Sequence, residues 1–240
     1  MADYRTMGTV GVGSRSANID AGLKAHMSKI YGLMSIAMLI TGGVAFAVGT
    51  NEALLAAIFG TPLRWVVMFA PLVVVFAMGA MINRLSAGAA QLVFWGFSAL
   101  MGLSISYIFA VYTGISIAQT FMVTAIAFAG LSLYGYTTKK DISAWGSFLI
   151  MGVIGLILAS IVNIFLASPA LQFAISSLGV LIFAGLTAYD TQRLKNEYLQ
   201  MANHGESEWL AKSAIMGALS LYLNFLNMFM FLLQFMGGRE

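Results

Sequence analysis

The sequence predicts an all-α membrane protein with seven transmembrane helices. Of its 240 residues, 60% are hydrophobic and only 9% are charged, whereas a soluble domain carries about a quarter charged residues. Seven apolar segments follow one another, each close to the roughly 20 residues that cross a hydrocarbon core about 30 Å thick. Aromatic side chains favour the membrane interface. All four Trp residues lie near predicted segment ends, namely Trp65, Trp95, Trp145 and Trp209.

The chain divides into a flexible polar tail over residues 1–20 and a seven-helix transmembrane domain over residues 21–240. The tail is rich in Gly, Ser and Thr and lacks the apolar core of a cleaved signal sequence. We expect Asp20 to cap a short helix, Ala21–Lys29, that leads into the membrane. Segments five and six are separated by a very short connection, which predicts a tight antiparallel hairpin. The predicted crossings are Ile30–Val48, Trp65–Asn83, Leu92–Val111, Ile117–Tyr134, Trp145–Leu166, Leu171–Asp190 and Ala211–Phe235.

Lys and Arg residues are unevenly divided between the two sides of the membrane. Seven crossings place the N-terminus and the even-numbered loops on one side. Of the twelve basic residues, only Arg64 and Arg239 fall on the other side. The positive-inside rule therefore predicts a cytoplasmic N-terminus and an external C-terminus. The basic residues are scattered at loop ends without a stripe of interleaved aromatics, so we expect the lipid bilayer and not nucleic acid as a partner.

Asp190 is the one acidic residue predicted within the membrane. It lies in the stretch GLTAYDTQRLK, where an apolar helix is still running. A charged carboxylate in hydrocarbon costs roughly 2.5–3.5 kcal/mol on insertion scales, so such groups tend to be paired, hydrated or functional. The alternative is an ordinary i,i+3 contact with Arg193 at the membrane surface, which would contribute about 0.2–0.5 kcal/mol.

Segment seven carries small and polar residues on one stripe. Small residues let helices approach closely, and amides hydrogen-bond across helices, so segment seven is the candidate for the centre of the bundle. The alternative is that these residues serve helix packing alone. Segment five has a similar stripe that ends at Asn163. The stripe of segment seven consists of Ser213, Gly217, Ser220, Asn224, Asn227 and Gln234.

Several chemistries are not expected from this sequence. The chain has no Cys, which excludes disulfides and thiolate metal sites. His26 and His204 both lie outside the apolar runs, so no intramembrane zinc set is formed. The pair Tyr189–Asp190 resembles the Tyr-Asp pair of intramembrane aspartyl proteases, but segment seven offers no second Asp to share a proton. We therefore expect neither enzyme activity nor a cofactor.

The stretches LSAGAAQLVF, SLYGYTTKKDIS, GLTAYDTQRLK and ALSLYLNFLNMF resemble the Bax inhibitor-1 family, also called transmembrane Bax-inhibitor-motif proteins. The bacterial inner-membrane branch is the most similar, and the likeness runs from about Ala21 to Phe235. The resemblance implies a last helix that is central and wrapped by the other six, in a bacterial inner (plasma) membrane. It also implies a pH-sensitive calcium leak whose sensor is two acidic residues on helices six and seven.

The first acid of the implied sensor matches Asp190, and the second falls on the motif LYL-x-F. Here that motif reads Leu221–Phe225, with Asn224 in place of the usual Asp. A basic residue that latches the first acid in the closed form matches Arg84. Asn does not titrate, but its amide can donate a hydrogen bond to a charged Asp190. We expect a cation leak gated at Asp190, with transient calcium contact and weakened pH sensing. Polar pore or helix-packing residues are predicted at Asn227, Ser220 and Asn163.

Two other functions stay open. Bacterial relatives of this type are associated with modulating a membrane-anchored, ATP-dependent quality-control protease. The chain as an interaction protein, engaged through its N-terminal tail, is therefore one alternative. An enzyme acting on lipid is the other, although the sequence shows no recognisable catalytic set.

Overall fold

The computed structural model describes the backbone of residues 9–201 and 207–238, and side chains from residue 17 onward within these ranges. Seven candidate membrane spans, long and apolar enough to cross a bilayer, are present in this part of the chain. The short helices α2 and α5 lie between spans or extend one. In chain order the helices are α1 (Thr9–Gly49), α2 (Glu52–Phe59), α3 (Leu63–Met81), α4 (Ala87–Ile105), α5 (Ile108–Val111), α6 (Gly114–Thr137), α7 (Trp145–Leu166), α8 (Pro169–Met201) and α9 (Ser207–Met236).

The predicted all-α fold with seven spans is confirmed. Predicted segment five coincides with α7, and the other segments fall within helices or end close to them. Segment six, predicted to end at Asp190, is shorter than its helix. Helix α8 continues to Met201, so Asp190 lies inside a helix and not at its end.

The chain before the first crossing differs from the prediction. Helix α1 runs without a break from Thr9 to Gly49. Asp20 therefore lies within a helix, and the predicted helix start at Ala21 with Asp20 as its cap is wrong. Of the predicted polar tail, residues 1–8 lie outside the described residues, and the part from Thr9 is helical. The flexibility of the tail stays a prediction.

Side-chain caps and one tight turn set the helix boundaries. Asn51, Ser86 and Thr113 each accept a hydrogen bond from the backbone N–H three residues on, at 3.1–3.3 Å, which satisfies a donor that the first turn leaves free. Helix α7 ends at Leu166, and Ala167, which follows it, has a left-handed φ of 46°. Asn163 stabilises this turn because its Oδ1 accepts the backbone N–H of Ser168 at 3.0 Å. Helices α7 and α8 pack against each other beyond it, as the predicted hairpin requires.

Helix α9 is the most buried of the seven spans. In its most apolar window 61% of the residues are buried, against 17–39% in the other spans. It packs against α1, α4, α6 and α8, whereas α3 packs on α4 and α7 packs on α8. The last helix thus has several neighbours, as its polar stripe predicts, but the predicted wrapping by all six other spans is not confirmed.

A buried hydroxyl network ties α9 to α1 and α4. Thr41 Oγ1 donates to the Ser98 carbonyl at 2.8 Å, and the Tyr222 hydroxyl lies 2.7 Å from the same Thr41 oxygen. Since the Thr41 proton is already donated, Tyr222 is the donor to Thr41. The Tyr222 ring is fully buried and meets Phe94 and Phe97 edge-on, with ring centroids 5.9 and 5.8 Å away. Helices α1, α4 and α9 are therefore joined by both packing and polar contacts.

Two glycines allow close approach between helix backbones. A Cβ at Gly102 of α4 would lie 2.6 Å from the Thr41 carbonyl oxygen of α1, and a Cβ at Gly135 of α6 would collide with the Ala188 carbonyl of α8. Backbone atoms cannot rotate away as a side chain can. The α1–α4 and α6–α8 contacts therefore require glycine at these positions, as is common between membrane helices.

Candidate functional site

Asp190 lies well past the middle of α8, where the sequence changes from apolar to polar. The residue is only 7% exposed, and its neighbours Thr187, Thr191 and Gln192 are also buried. Removing a carboxylate from water carries a penalty of several kcal/mol, which only well-placed partners can offset. The contacts of Asp190 therefore define the site.

Each carboxylate oxygen of Asp190 has its own partner. Asn224 of α9 donates through Nδ2 to Oδ2 at 2.7 Å. Arg193, one turn further along α8, places Nη2 3.0 Å from Oδ1. Both contacts involve an ionised group and are about twice as strong as neutral hydrogen bonds. The structure therefore contains the i,i+3 pair with Arg193 together with a cross-helix contact between Asp190 and Asn224, and the acid itself is buried.

Arg193 links the buried acid to the surface of the bundle. Its side chain is 38% exposed, and its Nε lies 3.5 Å from Oε1 of the exposed Glu197. Its Nη2 also donates to Ser220 Oγ of α9 at 3.4 Å. A small cavity of about 160 Å³ adjoins Arg193 and Glu197. Only the Arg193 side chain thus lies between Asp190 and the polar end of the bundle.

Arg84 does not reach Asp190 in this conformation. It is exposed in the turn after α3 and forms no ion pair with an acidic side chain in the described ranges. Arg193 is the basic partner of Asp190 instead. The latch between Arg84 and Asp190 stays a prediction for another conformation.

Two polar neighbours of Asp190 hold α8 to the connection between α6 and α7. Gln192 donates through Nε2 to the Lys140 carbonyl at 2.8 Å and accepts the Ile142 N–H through Oε1 at 3.0 Å. Lys195 donates through Nζ to the Tyr136 carbonyl near the end of α6, at 2.7 Å. Sequence reasoning missed both contacts. The sequence signal that could have predicted them is the presence of two long polar side chains, Gln192 and Lys195, within two helical turns of Asp190.

Asp141 lies in the same connection and is fully solvated. Hydrogen bonding by Ser143 lowers the pKa of the Asp141 carboxyl below its usual value, and the backbone contact from the Ser143 N–H is 2.9 Å long. Asp141 is therefore a permanent surface charge. It serves as a natural control for Asp190, because it is an acid on the same side that has no contact with the bundle interior.

A second polar cluster lies towards the other end of α8 and α9. Gln172 donates through Nε2 to Gln234 Oε1 at 2.8 Å, and Ser176 Oγ lies 3.2 Å from the same oxygen. Asn163 of α7 donates to Gln172 Oε1 at 3.1 Å. Asn163, predicted as a pore or packing residue, is therefore part of this cluster and of the α7–α8 turn.

Apolar side chains separate the two clusters. Ser176 and Asp190 are fourteen positions apart on α8, which is about 21 Å along a helix. In this interval Phe183 of α8 and Phe231 of α9 stack with centroids 5.9 Å apart, and the Phe231 ring lies against Gly179. The stacked pair is an apolar part of the α8–α9 interface that lies between its two polar clusters.

The predicted site residues are thus brought together only in part. Asp190, Asn224 and Ser220 meet around Arg193. Asn227 instead donates to the Leu223 carbonyl of its own helix at 2.8 Å and makes no cross-helix hydrogen bond within the described ranges. No group of three or more His, Cys, Asp or Glu side chains that could hold a metal ion occurs in the part of the chain that the structure describes.

The chain is similar to a known protein family over most of its length. The family model described as "Inhibitor of apoptosis-promoting Bax1" matches residues 23–240. The chain belongs to the Bax inhibitor-1 family. The predicted resemblance is therefore confirmed, and the family match covers the first span from Leu23 onward, the other six spans and the Asp190–Asn224 contact.

Three relatives show how far the Bax inhibitor-1 similarity extends. An uncharacterized protein of Caulobacter vibrioides is 49% identical over 232 residues, which cover 93% of this chain and 92% of the relative. The inner membrane protein YbhL of Escherichia coli K12 is 46% identical over 221 residues, or 92% and 94% of the two chains. The uncharacterized protein RP147 of Rickettsia prowazekii is 40% identical over 241 residues, the full length of both. The Bax inhibitor-1 architecture thus accounts for nearly the whole chain.

Proposed function

We propose that this Bax inhibitor-1 protein is a cation leak channel or transporter, with calcium as the transported ion and Asp190 as its gate. The observation that carries the proposal is the Asn224–Asp190 hydrogen bond, which joins two membrane helices through a buried carboxylate. Calcium prefers oxygen ligands, and Asp190, Asn224 and Ser220 offer such atoms within one region. No catalytic step is proposed for these residues.

The conformation described here corresponds to a closed state in this proposal. Both Asp190 oxygens are occupied, by Asn224 and Arg193. The stacked rings of Phe183 and Phe231 fill the interface between the two polar clusters. A cation that enters beside Arg193 would need the Asn224 contact to open and the rings to separate. Asp190 would then attract the ion and contact it transiently.

The pH response should be weaker than in a site with two acids. A pair of carboxylates in contact shares a proton, and that proton can be gained or lost near neutral pH. Asn224 occupies the second position here and carries no titratable proton. We therefore propose that the leak depends on the opening of the helix contact more than on protonation of a pair.

We further propose a bacterial inner (plasma) membrane location, with the N-terminus cytoplasmic and the C-terminus outside. The location is supported by the inner membrane protein YbhL of E. coli, which is 46% identical to this chain. The orientation follows from the ten-to-two division of Lys and Arg between the two sides. In this orientation the Asp190 site lies towards the cytoplasm, on the same side as the α6–α7 connection that Gln192 and Lys195 contact.

Calcium flux in proteoliposomes that contain the purified full chain tests the proposal. Asn224→Leu removes the hydrogen bond and keeps the Asp190 charge. A hydrogen bond to a charged group contributes roughly 1.5–3 kcal/mol, so the flux should rise by about 10- to 100-fold. Asn227→Leu is the matched control, because Asn227 bonds to its own helix, and it should leave the flux unchanged.

A double variant separates gating from ion attraction. Asp190→Asn combined with Asn224→Leu should lose the raised calcium flux, since the open path then lacks its anion. The surface variant Asp141→Asn should not reduce it. Equal fluxes for Asn224→Leu and Asn227→Leu, or a double variant that still conducts calcium, would overturn the proposal.

An interaction protein remains the second candidate, supported by the shape of the proposed cytoplasmic side. Helices α1 and α8 extend together there, with the rings of His26 and Tyr198 at a centroid distance of 5.1 Å. This packing fixes two helical extensions into one surface that a membrane-anchored protease could bind. If no variant conducts calcium while all remain folded, and a copurifying protease is lost when residues 1–20 are deleted, this second function is favoured.

A further inference from the structure

A long groove runs between α1 and α6, two spans that do not pack against each other along their length. Its volume is about 980 Å³. The two walls are formed by residues from Lys24 to Gly43 of α1 and from Phe121 to Tyr136 of α6, and Phe225 of α9 forms part of the floor. Neither Asp190 nor its partners Asn224 and Arg193 line this groove.

The dimensions of the groove fit a hydrocarbon chain. Lys24 and Gly43 are nineteen positions apart on α1, which is about 28 Å at 1.5 Å per residue. A volume of about 980 Å³ over that length gives a mean cross-section of about 35 Å². The groove is therefore long and narrow, as an acyl chain requires.

The walls are apolar and leave open space at their glycines. Met34, Met38 and Leu39 line the α1 side, and Phe128 and Leu133 line the α6 side. A Cβ at Gly42 or Gly43 would meet no atom within 4 Å. The glycines thus widen the groove and are not required by helix contact, in contrast to Gly102 and Gly135.

One end of the groove carries a positive charge. Lys24 lines the groove and forms no ion pair with an acidic side chain in the described ranges. The hydroxyl-bearing side chains of Ser28 and Tyr31 line the groove on the next turns of α1. Lys195 lies near the same end, where it contacts Tyr136. A basic residue at the membrane end of an apolar groove attracts the phosphate of a lipid headgroup.

We propose that the groove between α1 and α6 binds one membrane glycerophospholipid, with an acyl chain between the helices and the phosphate at Lys24. The chain occupies the part of the groove from Met34 to Gly43, which lies within the first membrane crossing. The inference concerns binding and does not depend on ion transport. It assigns a ligand to a surface that the helices leave open to the bilayer.

Blocking the groove at a glycine tests the acyl-chain position. Gly43→Trp fills the open space, and Gly32→Trp is the control, because a Cβ at Gly32 also meets no atom within 4 Å but Gly32 does not line the groove. The full chain, purified in mild detergent, is titrated with dioleoyl phosphatidylglycerol and examined by native mass spectrometry. The native chain and Gly32→Trp should bind one tight lipid, and Gly43→Trp should bind it at least about tenfold more weakly.

A second matched pair on α6 guards against local misfolding of α1. Ala129 lines the groove, whereas Ala127 is exposed on another face of the same helix. Ala129→Phe should weaken lipid binding, and Ala127→Phe should not. If both members of either pair lose the lipid equally while the thermal midpoint is retained, or if the native chain binds none, the acyl-chain position is wrong.

The headgroup position is tested separately. Lys24→Gln should lower the affinity for dioleoyl phosphatidylglycerol by about fivefold, the ratio that corresponds to about 1 kcal/mol for one basic residue at a membrane surface. Dioleoylglycerol, which has the same chains and no phosphate, should bind the native chain more weakly and be insensitive to Lys24→Gln. Equal binding of the two lipids would overturn the assignment of Lys24 to the phosphate. A mass that corresponds to a dimer in place of a lipid adduct would overturn the occupant.

Discussion

Replacing Asn224 with Asp should make the stability of the protein depend on pH. The substitution places a second carboxylate where the amide now lies 2.7 Å from Asp190 Oδ2. Two unit charges at that separation repel by roughly 6 kcal/mol at an effective dielectric constant of about 20. Arg193 faces the other oxygen of Asp190 and offsets only part of this repulsion. The folded Asn224→Asp variant should therefore keep one proton on the pair at neutral pH.

The sign of the effect follows from counting protons. The unfolded variant releases both protons at neutral pH, so the folded state binds one proton more than the unfolded state. Stability must then fall as pH rises, by about 1.36 kcal/mol per pH unit for one proton. Between pH 6 and 8 the loss is about 2.7 kcal/mol, which corresponds to about 5–11 °C in the thermal midpoint of a protein of this size.

Thermal unfolding of the purified protein in detergent at pH 6, 7 and 8 measures this loss directly. The native chain is the first reference. The second is the exchanged variant, Asp190→Asn with Asn224→Asp, which again pairs one amide with one carboxylate. The exchanged variant should lose the pH dependence that Asn224→Asp alone introduces. If Asn224→Asp and the native chain change in parallel between pH 6 and 8, residues 190 and 224 do not share a proton, and the geometry of the site is wrong.

Three further predictions concern burial, topology and the hydroxyl network. Asn224→Cys should be poorly labelled by a lipid-soluble thiol reagent in comparison with Val73→Cys, because Asn224 is 5% exposed and Val73 is 65% exposed; equal labelling would contradict the packing of α9. A reporter active outside the cytoplasm should be active when fused after Glu240 and silent after Lys140 if the charge bias sets orientation; the reverse pattern would refute the proposed orientation. Tyr222→Phe should lower the free energy of unfolding by about 1 kcal/mol, as expected for the loss of one buried hydrogen bond; an unchanged denaturation midpoint would show that Thr41 needs no donor.

The sequence determined the spans because the signal is strong and local. Long apolar runs with few charges have no other stable arrangement in a chain of this length, and the seven spans are confirmed. The contact between Asp190 and Asn224 could be predicted from the sequence because the family motif places the second residue of the pair at position 224. Helix ends were less predictable. Helix α8 continues past Asp190 to Met201 because the Gln, Arg, Leu, Lys and Glu residues of this stretch are good helix formers.

The partners of the site could not be read from the sequence in the same way. Arg84 and Arg193 are equally basic, and only the folded structure shows that Arg193 contacts the acid in this conformation. Asn227 lies on the same stripe as Asn224, yet it bonds to its own backbone. Such choices depend on which rotamer reaches a partner across a helix interface, and spacing along one helix does not contain that information.

The contacts around Asp190 also restrict how α8 can move. Lys195 reaches α6, Gln192 reaches the α6–α7 connection, and Asp190 reaches α9, all within less than two turns of one helix. Contacts on two sides of α8 fix its rotation about its own axis, because turning the helix to free one of these side chains would break the contacts of the other two. Rotation of α8 therefore cannot carry Asp190 away from Asn224 while the other two contacts hold. Sideways separation of α8 and α9 would part the two residues, and the resulting gap would open along α9 over several residues at once.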